Sequence, residues 1–315
     1  MPILGIDIGG TRLKAGSVDS RGQIIADRVV DTPIDIGAFS EAVATLVRDL
    51  ADGESPSAVG IGCKGIIDTA TTTVCVQPGT FSFLEGVRLA DLVSPVVGQE
   101  TPVFADNDAR VALAGEVVWG AAKGRKNVIM LTLGTGVGGS VLVDGKILRG
   151  AHGAAGLLGH VTVLPNGRFC DCGNRGCLET VFSARAIEAE ALHAVHRGCE
   201  SVLTERFGHD KGGLTCKAVF DAAGEGDPLA RAIRDEAIET LGAAVAGFLH
   251  VFDPDVIILG GQIVEAGESL LAPLRREMAW RTKRYLGRQV PVLLPEVDGS
   301  SGIVGAAALA RMSLS

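Results

Sequence analysis

Asp7-Ile-Gly-Gly-Thr11, closing the apolar run 3–8, and Leu133-Gly-Thr-Gly-Val-Gly-Gly-Ser140, between the apolar runs 128–133 and 137–143, are two versions of one device. In each, a strand enters a glycine turn and a second strand leaves it. Glycine lets backbone N–H groups approach phosphate oxygens, and a carboxylate such as Asp7 can hold Mg²⁺ directly or through water. A single Gly-Gly between strands is as readily an ordinary hairpin turn. Two of them in one chain suggest phosphate gripped from both sides. Neither is a P-loop, since no Gly-Lys-Ser/Thr follows. The second does not fit a dinucleotide fingerprint either, because a strand and not a helix follows it.

Outward from these turns the chain reads as alternating strands and helices. Runs 3–8, 13–18 and 24–30 form a meander of three short strands, and 39–50 is an amphipathic helix with Phe39, Val43, Leu46, Val47 and Leu50 on one face. Strands at 59–63 and 103–105 follow, the second ending at Asp106-Asn107-Asp108 before a helix over 109–118. Residues 119–126 interrupt the apolar pattern and mark the boundary between two lobes. Beyond them come the strand pair 128–133 and 137–143, an irregular stretch 150–167, helices over 183–196 and 228–251, a strand 256–259 entering Gly260-Gly261, a helix 266–280 and a strand 290–294. The last helix, 301–312, is expected to return to the first lobe, which gives lobes of 1–118 with 301–315, and 119–300.

The 315 residues suit two lobes better than one small core. The most apolar stretch, 241–259, contains His250, Asp253, Pro254 and Asp255 and cannot span a membrane, although the mean hydropathy is +0.32. The chain start has no basic region followed by an apolar stretch, so a cytoplasmic protein is expected. A formal charge of −8 without a basic block argues against nucleic acid as partner, and an anionic substrate must be held locally. Aromatics at 4% also argue against a stacking platform.

Two further clusters carry chemistry. Asn107-Asp108 joins a strand to a helix, where both residue types are ordinary N-caps. A strand's C-terminal end is also where α/β sites collect, and a carboxylate there can accept a proton from an alcohol attacking a γ-phosphate. His160-x9-Cys170-x-Cys172-x4-Cys177 supplies one imidazole and three thiolates, enough for a closed, structural tetrahedral zinc site. Little apolar material stands between these residues to hold the segment without metal. Glu179, two residues beyond Cys177, would be positioned by the metal loop.

With these residues in place the chain resembles the ROK family (repressors, open reading frames and sugar kinases) of the actin-like and hexokinase-like ATPases. The likeness spans essentially its whole length. It is carried by Asp7-Ile-Gly-Gly-Thr11, Gly62-Cys-Lys-Gly-Ile-Ile-Asp68, Asn107-Asp-Ala109 with Gly115-Glu116, Leu133 to Ser140, Gly159-His160 with Cys170-Asp-Cys-Gly-Asn-Arg-Gly-Cys-Leu-Glu179, and Asp253-Pro-Asp-Val-Ile-Ile-Leu-Gly-Gly261. The resemblance implies an α/β, two-lobed actin/hexokinase-like (ribonuclease H-like) fold with an interlobe cleft and a zinc loop, closing over a sugar and MgATP. It implies Asp108 as the base toward the sugar's primary hydroxyl, with Gly65, Asn107, His160 and Glu179 also binding sugar. His160 would use one ring nitrogen for zinc and the other for sugar. Asp7, Gly9, Gly10, Thr11, Lys14, Gly134, Thr135 and Gly136 would surround Mg²⁺ and phosphates, Gly260 and Gly261 would lie near the adenosine, and a homodimer or homotetramer is implied.

Two positions depart from the family pattern. Sugar kinases of the family usually read Gly-Glu-x-Gly-His where this chain has Gly156-Leu157-Leu158-Gly159-His160, so Leu157 replaces a sugar-binding glutamate. Either the substrate presents less polarity there, as an amino or deoxy sugar or a cyclitol would, or Glu179, His160 and water make up the loss. Lys64 stands where proline is common, and a solvated loop residue is the favoured reading. Among other functions, a repressor would need a helix-turn-helix ahead of the strand that begins at residue 3, and a sugar sensor without catalysis is disfavoured by the intact Asp108 and both phosphate turns.

Overall fold

The computed structural model describes residues 1–51, 55–77, 79, 81–209, 211–285, 289–297 and 301–314. The ends 300 and 315 of the two expected lobes lie outside them. In chain order the regular elements are β1 (Ile3–Ile8), β2 (Arg12–Val18), β3 (Ile24–Asp31), α1 (Ile36–Ala51), β4 (Val59–Cys63), β5 (Ile66–Asp68), β6 (Thr73–Val76), α2 (Ala90–Val97), β7 (Val103–Asn107) and α3 (Asp108–Trp119). There follow β8 (Val128–Leu133), β9 (Val137–Val143), β10 (Lys146–Ile147), α4 (Ala184–His196), α5 (Val202–Phe207), α6 (Cys216–Glu225), α7 (Pro228–Phe252), β11 (Val256–Gly260), α8 (Glu268–Thr282), β12 (Val292–Leu293) and α9 (Ser301–Leu314). The chain divides into two compact units. Unit 1 holds Met1–Lys126, Ser140–Gly156 and Pro295–Ser315, and unit 2 holds Asn127–Gly139 and Leu157–Leu294.

The sheet of unit 1 runs β3-β2-β1-β4-β7, antiparallel through the meander and parallel from β1 to β4 to β7. A second sheet repeats the order as β10-β9-β8-β11-β12, with β8, β11 and β12 parallel. A meander followed by parallel crossovers is the ribonuclease H-like arrangement. Its central strands β4 and β11 are buried at every residue, which is why both read as unbroken apolar runs and not as alternating ones. The helix expected over 39–50 buries the five side chains named for it.

Several elements escaped the sequence pattern. The hairpin β5–β6 and the helices α2, α5 and α6 were not anticipated, and α2 carries Pro95 inside it, a residue that removes a helix donor and disguises the period. The expected helix over 266–280 begins instead at Glu268, because Gly267 adopts a left-handed φ of 59° that separates α8 from the tight turn Gln262–Ala266. The last expected strand shrinks to two residues.

α9 does return to unit 1, where its alanine face lies on β1 and β4. The approach is so close that a Cβ at Gly5 would stand 2.0 Å from the Ile303 carbonyl oxygen, and one at Gly60 would stand 1.8 Å from that of Ala306. Backbone cannot swing aside as a side chain can. Gly60→Ala is therefore expected to lower stability by roughly 1–3 kcal/mol or more through forced separation of α9 from β4. A denaturant midpoint equal to that of the parent protein would show that the helix has room to move.

Candidate active site

In unit 1, β1 and β7 end side by side with β4 between them, so Asp7 and Asp108 arrive at the same edge of the sheet. Asp7 lies 3.8 Å from the Lys14 ammonium, its cross-strand partner on β2. Burial raises the Asp7 pKa above the usual carboxylate range, Lys14 pulls it back, and the charge of Asp108 pushes it up again. An anion so placed favours added positive charge, and this is the test a Mg²⁺ site has to meet. The start of α9 lies against it as well, since a Cβ at Gly302 would be 2.2 Å from an Asp7 carboxylate oxygen. The turn that follows is held by Gly9 N–H donating to Arg12 O at 3.1 Å and by the Thr32 hydroxyl donating to Gly9 O at 2.8 Å, while Gly10 and Thr11 are exposed.

Asn107 takes the capping role that the sequence left open for either residue of the pair. Asn107 is the N-cap of α3, its side-chain oxygen accepting from Ala109 N–H at 3.0 Å. Its amide nitrogen donates to Gly65 O at 3.0 Å, so both implied sugar-binding groups are already joined to each other. Gly65 has φ 100°, and a Cβ there would collide with Val76 O at 2.1 Å. Asp108 is the first helical residue. One carboxylate oxygen accepts from Ala109 N–H at 2.9 Å, and the Asn107 side chain also hydrogen-bonds the carboxylate. Asp108 keeps an exposed face but is crowded by protein, and the lost hydration raises its pKa despite the backbone N–H and the positive charge of Lys64. Lys64 is exposed, as a solvated loop residue would be, yet its charge is felt at Asp108. Cys63, at the end of β4, is pushed up to about 12 by burial and by both carboxylates, and stays an inert thiol.

In unit 2, the glycine loop is braced rather than free. Gly134 N–H donates to Gly136 O at 3.0 Å, Ala184 N–H to Gly134 O at 2.8 Å, and Arg185 to Thr135 O at 3.3 Å. Glu179 reaches it directly, accepting from Val137 N–H at 2.8 Å. A Cβ at Gly136 would be 2.2 Å from that same carboxylate oxygen. The other Glu179 oxygen lies 4.0 Å from Arg185 and 4.0 Å from the Cys170 sulfur. Gly159, beside His160, packs on Val137, where a Cβ would stand 1.9 Å from its carbonyl oxygen. Gly261, with φ 91°, packs likewise on Leu133, where a Cβ would be 2.3 Å from O, and Gly260 pairs with Thr132. The glycine loop, the His160 turn, Glu179 and Gly260-Gly261 are thus one assembly. Leu157 precedes the turn, half-buried, with no polar side-chain atom to offer.

The four expected zinc ligands converge. The His160 Nδ1, Cys170, Cys172 and Cys177 donor atoms lie within 4.8 Å of one another, with Nδ1 to the Cys170 Sγ 3.6 Å and the Cys172 to Cys177 sulfurs 3.7 Å. A tetrahedron with Zn–S bonds of about 2.3 Å has S···S edges of about 3.8 Å, so the 3.6 and 3.7 Å separations match it and a set lying within 4.8 Å needs only a small inward shift to hold zinc. Because Nδ1 faces the sulfurs, Nε2 is the nitrogen left for a second partner.

Sequence reasoning missed the brace from Glu179 to Val137 and a buried trio in unit 1. Asp106 accepts from Arg110 at 3.0 Å and from Arg149 at 2.7 Å. The side chains of Asp106 and Arg110 are 0% and 1% exposed. A charged residue inside a strand and another in the first turn of a helix were the only signals, and both are commonly solvated.

A match to the model of the ROK family covers residues 3–313. The glucokinase of Thermotoga maritima is 37% identical over 99% of this chain and 98% of its own. Among solved structures, a ROK family glucokinase from Streptomyces griseus, in complex with glucose and AMPPNP, superposes with a TM-score of 0.81 at 35% identity, over 99% of this chain and 100% of that one. A ROK hexokinase from Thermus thermophilus gives a TM-score of 0.85 at 29% identity, over 100% and 99%. The chain belongs to the ROK family.

Proposed function

We propose that this ROK-family chain is an ATP-dependent hexose kinase in which Asp108 is the general base. The observation that carries the mechanism is the placement of the Asp108 carboxylate, at the same sheet edge as Asp7 and open to solvent on one side. Asn107 caps α3, Asp108 keeps a side that faces solvent, and the loss of hydration raises its pKa, which makes it a better proton acceptor than an ordinary aspartate. As the primary hydroxyl oxygen of the sugar attacks the γ-phosphorus, its proton passes to the Asp108 carboxylate, the bond from phosphorus to the β–γ bridging oxygen breaks, and ADP leaves.

The other residues position and hold. The N–H groups of Thr135 and Gly136 and those of Gly10 and Thr11 are the ones assigned to phosphate oxygens, since Gly134, Val137 and Gly9 N–H already donate within the protein. Asp7 would hold Mg²⁺, which would supply positive charge to neutralise those phosphates. Zinc held by His160, Cys170, Cys172 and Cys177 has a structural part, orienting His160 so that Nε2 can meet a sugar hydroxyl. Glu179, two residues past the last zinc ligand, ties the metal loop to the phosphate loop. Its loss in Glu179→Ala removes a charged hydrogen bond of about 1.5–3 kcal/mol, so kcat/KM is expected to fall by roughly 10- to 100-fold, while Glu179→Gln keeps an acceptor for Val137 N–H and loses less. Equal activity of the two variants would remove Glu179 from loop placement.

The function itself is tested by a phosphorylation screen over glucose, mannose, N-acetylated and amino hexoses, fructose and cyclitols, with ATP and with polyphosphate as donor. Glucose is the sugar named for the Thermotoga and Streptomyces relatives and is the first expected substrate. Repeating the screen with Leu157→Glu shows whether leucine at that position alters sugar choice. ADP release no faster than the blank with every sugar would overturn the proposal.

A further inference from the structure

The Arg110 guanidinium does more than neutralise Asp106. One of its nitrogens donates to Asp106 at 3.0 Å, and the other donates to two carbonyl oxygens, Gly153 O and Ala155 O, each at 2.7 Å. The Asp106 oxygen that Arg110 holds also accepts from Asn107 N–H at 2.8 Å, and its second oxygen accepts from Arg149 at 2.7 Å. Three stretches of unit 1 are therefore joined at one buried point: the end of β7 with Asn107 and Asp108, the segment 149–155, and, through the Asn107 amide on Gly65 O and the contact of Gly153 with Ile67 O, the turn into β5. The segment 149–155 has little to hold it from within beyond the hydrogen bond from Ala155 N–H to Arg149 O at 3.1 Å. Gly150, Gly153 and Gly156 all have left-handed φ values, and few side chains in it are buried.

The same helix reaches a second pair of segments. The Glu116 carboxylate, buried at the far end of α3, accepts from Ala121 N–H at 2.7 Å and from Glu296 and Val297 N–H at 3.1 and 3.0 Å. Residues 121, 155 and 296 lie close in sequence to points where the chain passes between the two units, leaving unit 1 after Lys126 and after Gly156 and re-entering it at Pro295. The helix that begins with Asp108 thus fixes, from its own buried charges, backbone on the way to three of the crossings.

We propose that Arg110, together with Asp106 and Arg149, is a positioning element for phosphoryl transfer: it locks the base-bearing strand end to the segment 149–155, so that Asp108 is held in its working position by a planar, multi-point donor. The geometry is specific to arginine, since a lysine ammonium can reach Asp106 or the carbonyls but cannot span all three acceptors in one plane. The proposal rests on the reading of Asp108 as the base. A wild-type protein without hexose kinase activity would sink that reading before any variant is compared.

The test uses the full chain and compares Arg110→Lys, Arg110→Ala and Arg149→Met for kcat, for KM toward sugar and ATP, and for melting temperature. A displaced base costs on the order of 10- to 100-fold, so Arg110→Lys is expected to lose about that much in kcat with KM for ATP unchanged. Arg110→Ala should lose at least as much and regain part of it when guanidinium is added well below denaturing concentrations. A purely structural ion pair behaves otherwise: melting temperature falls, kcat per folded molecule stays within about twofold of wild type, and guanidinium restores no turnover; that pattern overturns the proposal. If Arg110→Ala does not fold, Arg110→Lys and Arg149→Met decide. Arg149 is 35% exposed, so its removal opens no core but takes away one partner of Asp106. A several-fold lower kcat at near-normal melting temperature in Arg149→Met supports the proposal, and an unchanged kcat there and in Arg110→Lys counts against it.

Discussion

Asp108→Asn is expected to lower kcat by about 10²- to 10⁴-fold, the usual contribution of a general base, while the protein folds and binds nucleotide. Its melting temperature at neutral pH should hold or rise. The sign follows from the raised pKa of Asp108. A carboxyl whose folded pKa is raised contributes stability that is fully present below its unfolded pKa and is lost as pH rises through the folded one. At neutral pH the charge is therefore a burden on the fold, and asparagine removes it. Asn107→Ala should behave in the opposite way, losing the cap of α3 and about 1 kcal/mol of stability. In the parent enzyme the acid limb of kcat/KM should lie above the ordinary carboxylate range. A two- or threefold loss of turnover in Asp108→Asn, or a fall in melting temperature like that of Asn107→Ala, would give Asp108 a structural task instead.

Removing a zinc ligand is expected to have the largest effect on folding. Cys172 is the ligand to change, because it is exposed and its replacement by serine takes away almost no packing. Purified protein should hold one zinc per chain, and Cys172→Ser should lose it. Structural zinc sites carry apparent binding energies of about 10–16 kcal/mol in small metal-folded peptides, and binding of that kind is folding energy for the loop. Apart from local hydrogen bonds such as Cys170 N–H to Asn174 O and Gly176 N–H to Arg168 O, and surface ion pairs of Arg168 with Glu190 and Arg185 with Asp171, the loop has little to hold it. Between His160 and Cys177 most residues are exposed, and Phe169, its largest apolar side chain, is 75% exposed. Loss of metal should open 161–176 to proteolysis, release the Glu179 brace on the glycine loop, and reduce turnover together with sugar binding. Native yield of fully active protein without zinc would overturn the assignment.

Much of this was legible before the fold. Each glycine turn is a local event between two short strands, and the zinc ligands fall within an eighteen-residue span, so spacing alone brings them within reach of one ion. The parallel strands β4 and β11 announced themselves as short, wholly apolar runs. The hairpin β5–β6 and α2 did not, because three- and four-residue strands and a helix containing proline carry too little period to detect.

The sequence by itself determined the identities and order of the chemical groups: a carboxylate after the first strand, an Asn-Asp pair at a helix start, a glycine loop, one histidine and three cysteines. Only the tertiary structure decided which of their polar atoms are already engaged. Asn107 and Asp108 are equally good caps on paper, and the fold gives the cap to the first and leaves the second's carboxylate open to solvent on one side. Glu179 could equally have faced solvent, and the fold places it on the Val137 N–H, 42 residues away along the chain. Arg110 and Glu116 look like the solvated face of an ordinary helix until their partners, 43 to 181 residues distant, fold over them. A hydrogen bond is chosen by three-dimensional proximity and by the cost of leaving a buried polar group alone, and neither is written in local spacing.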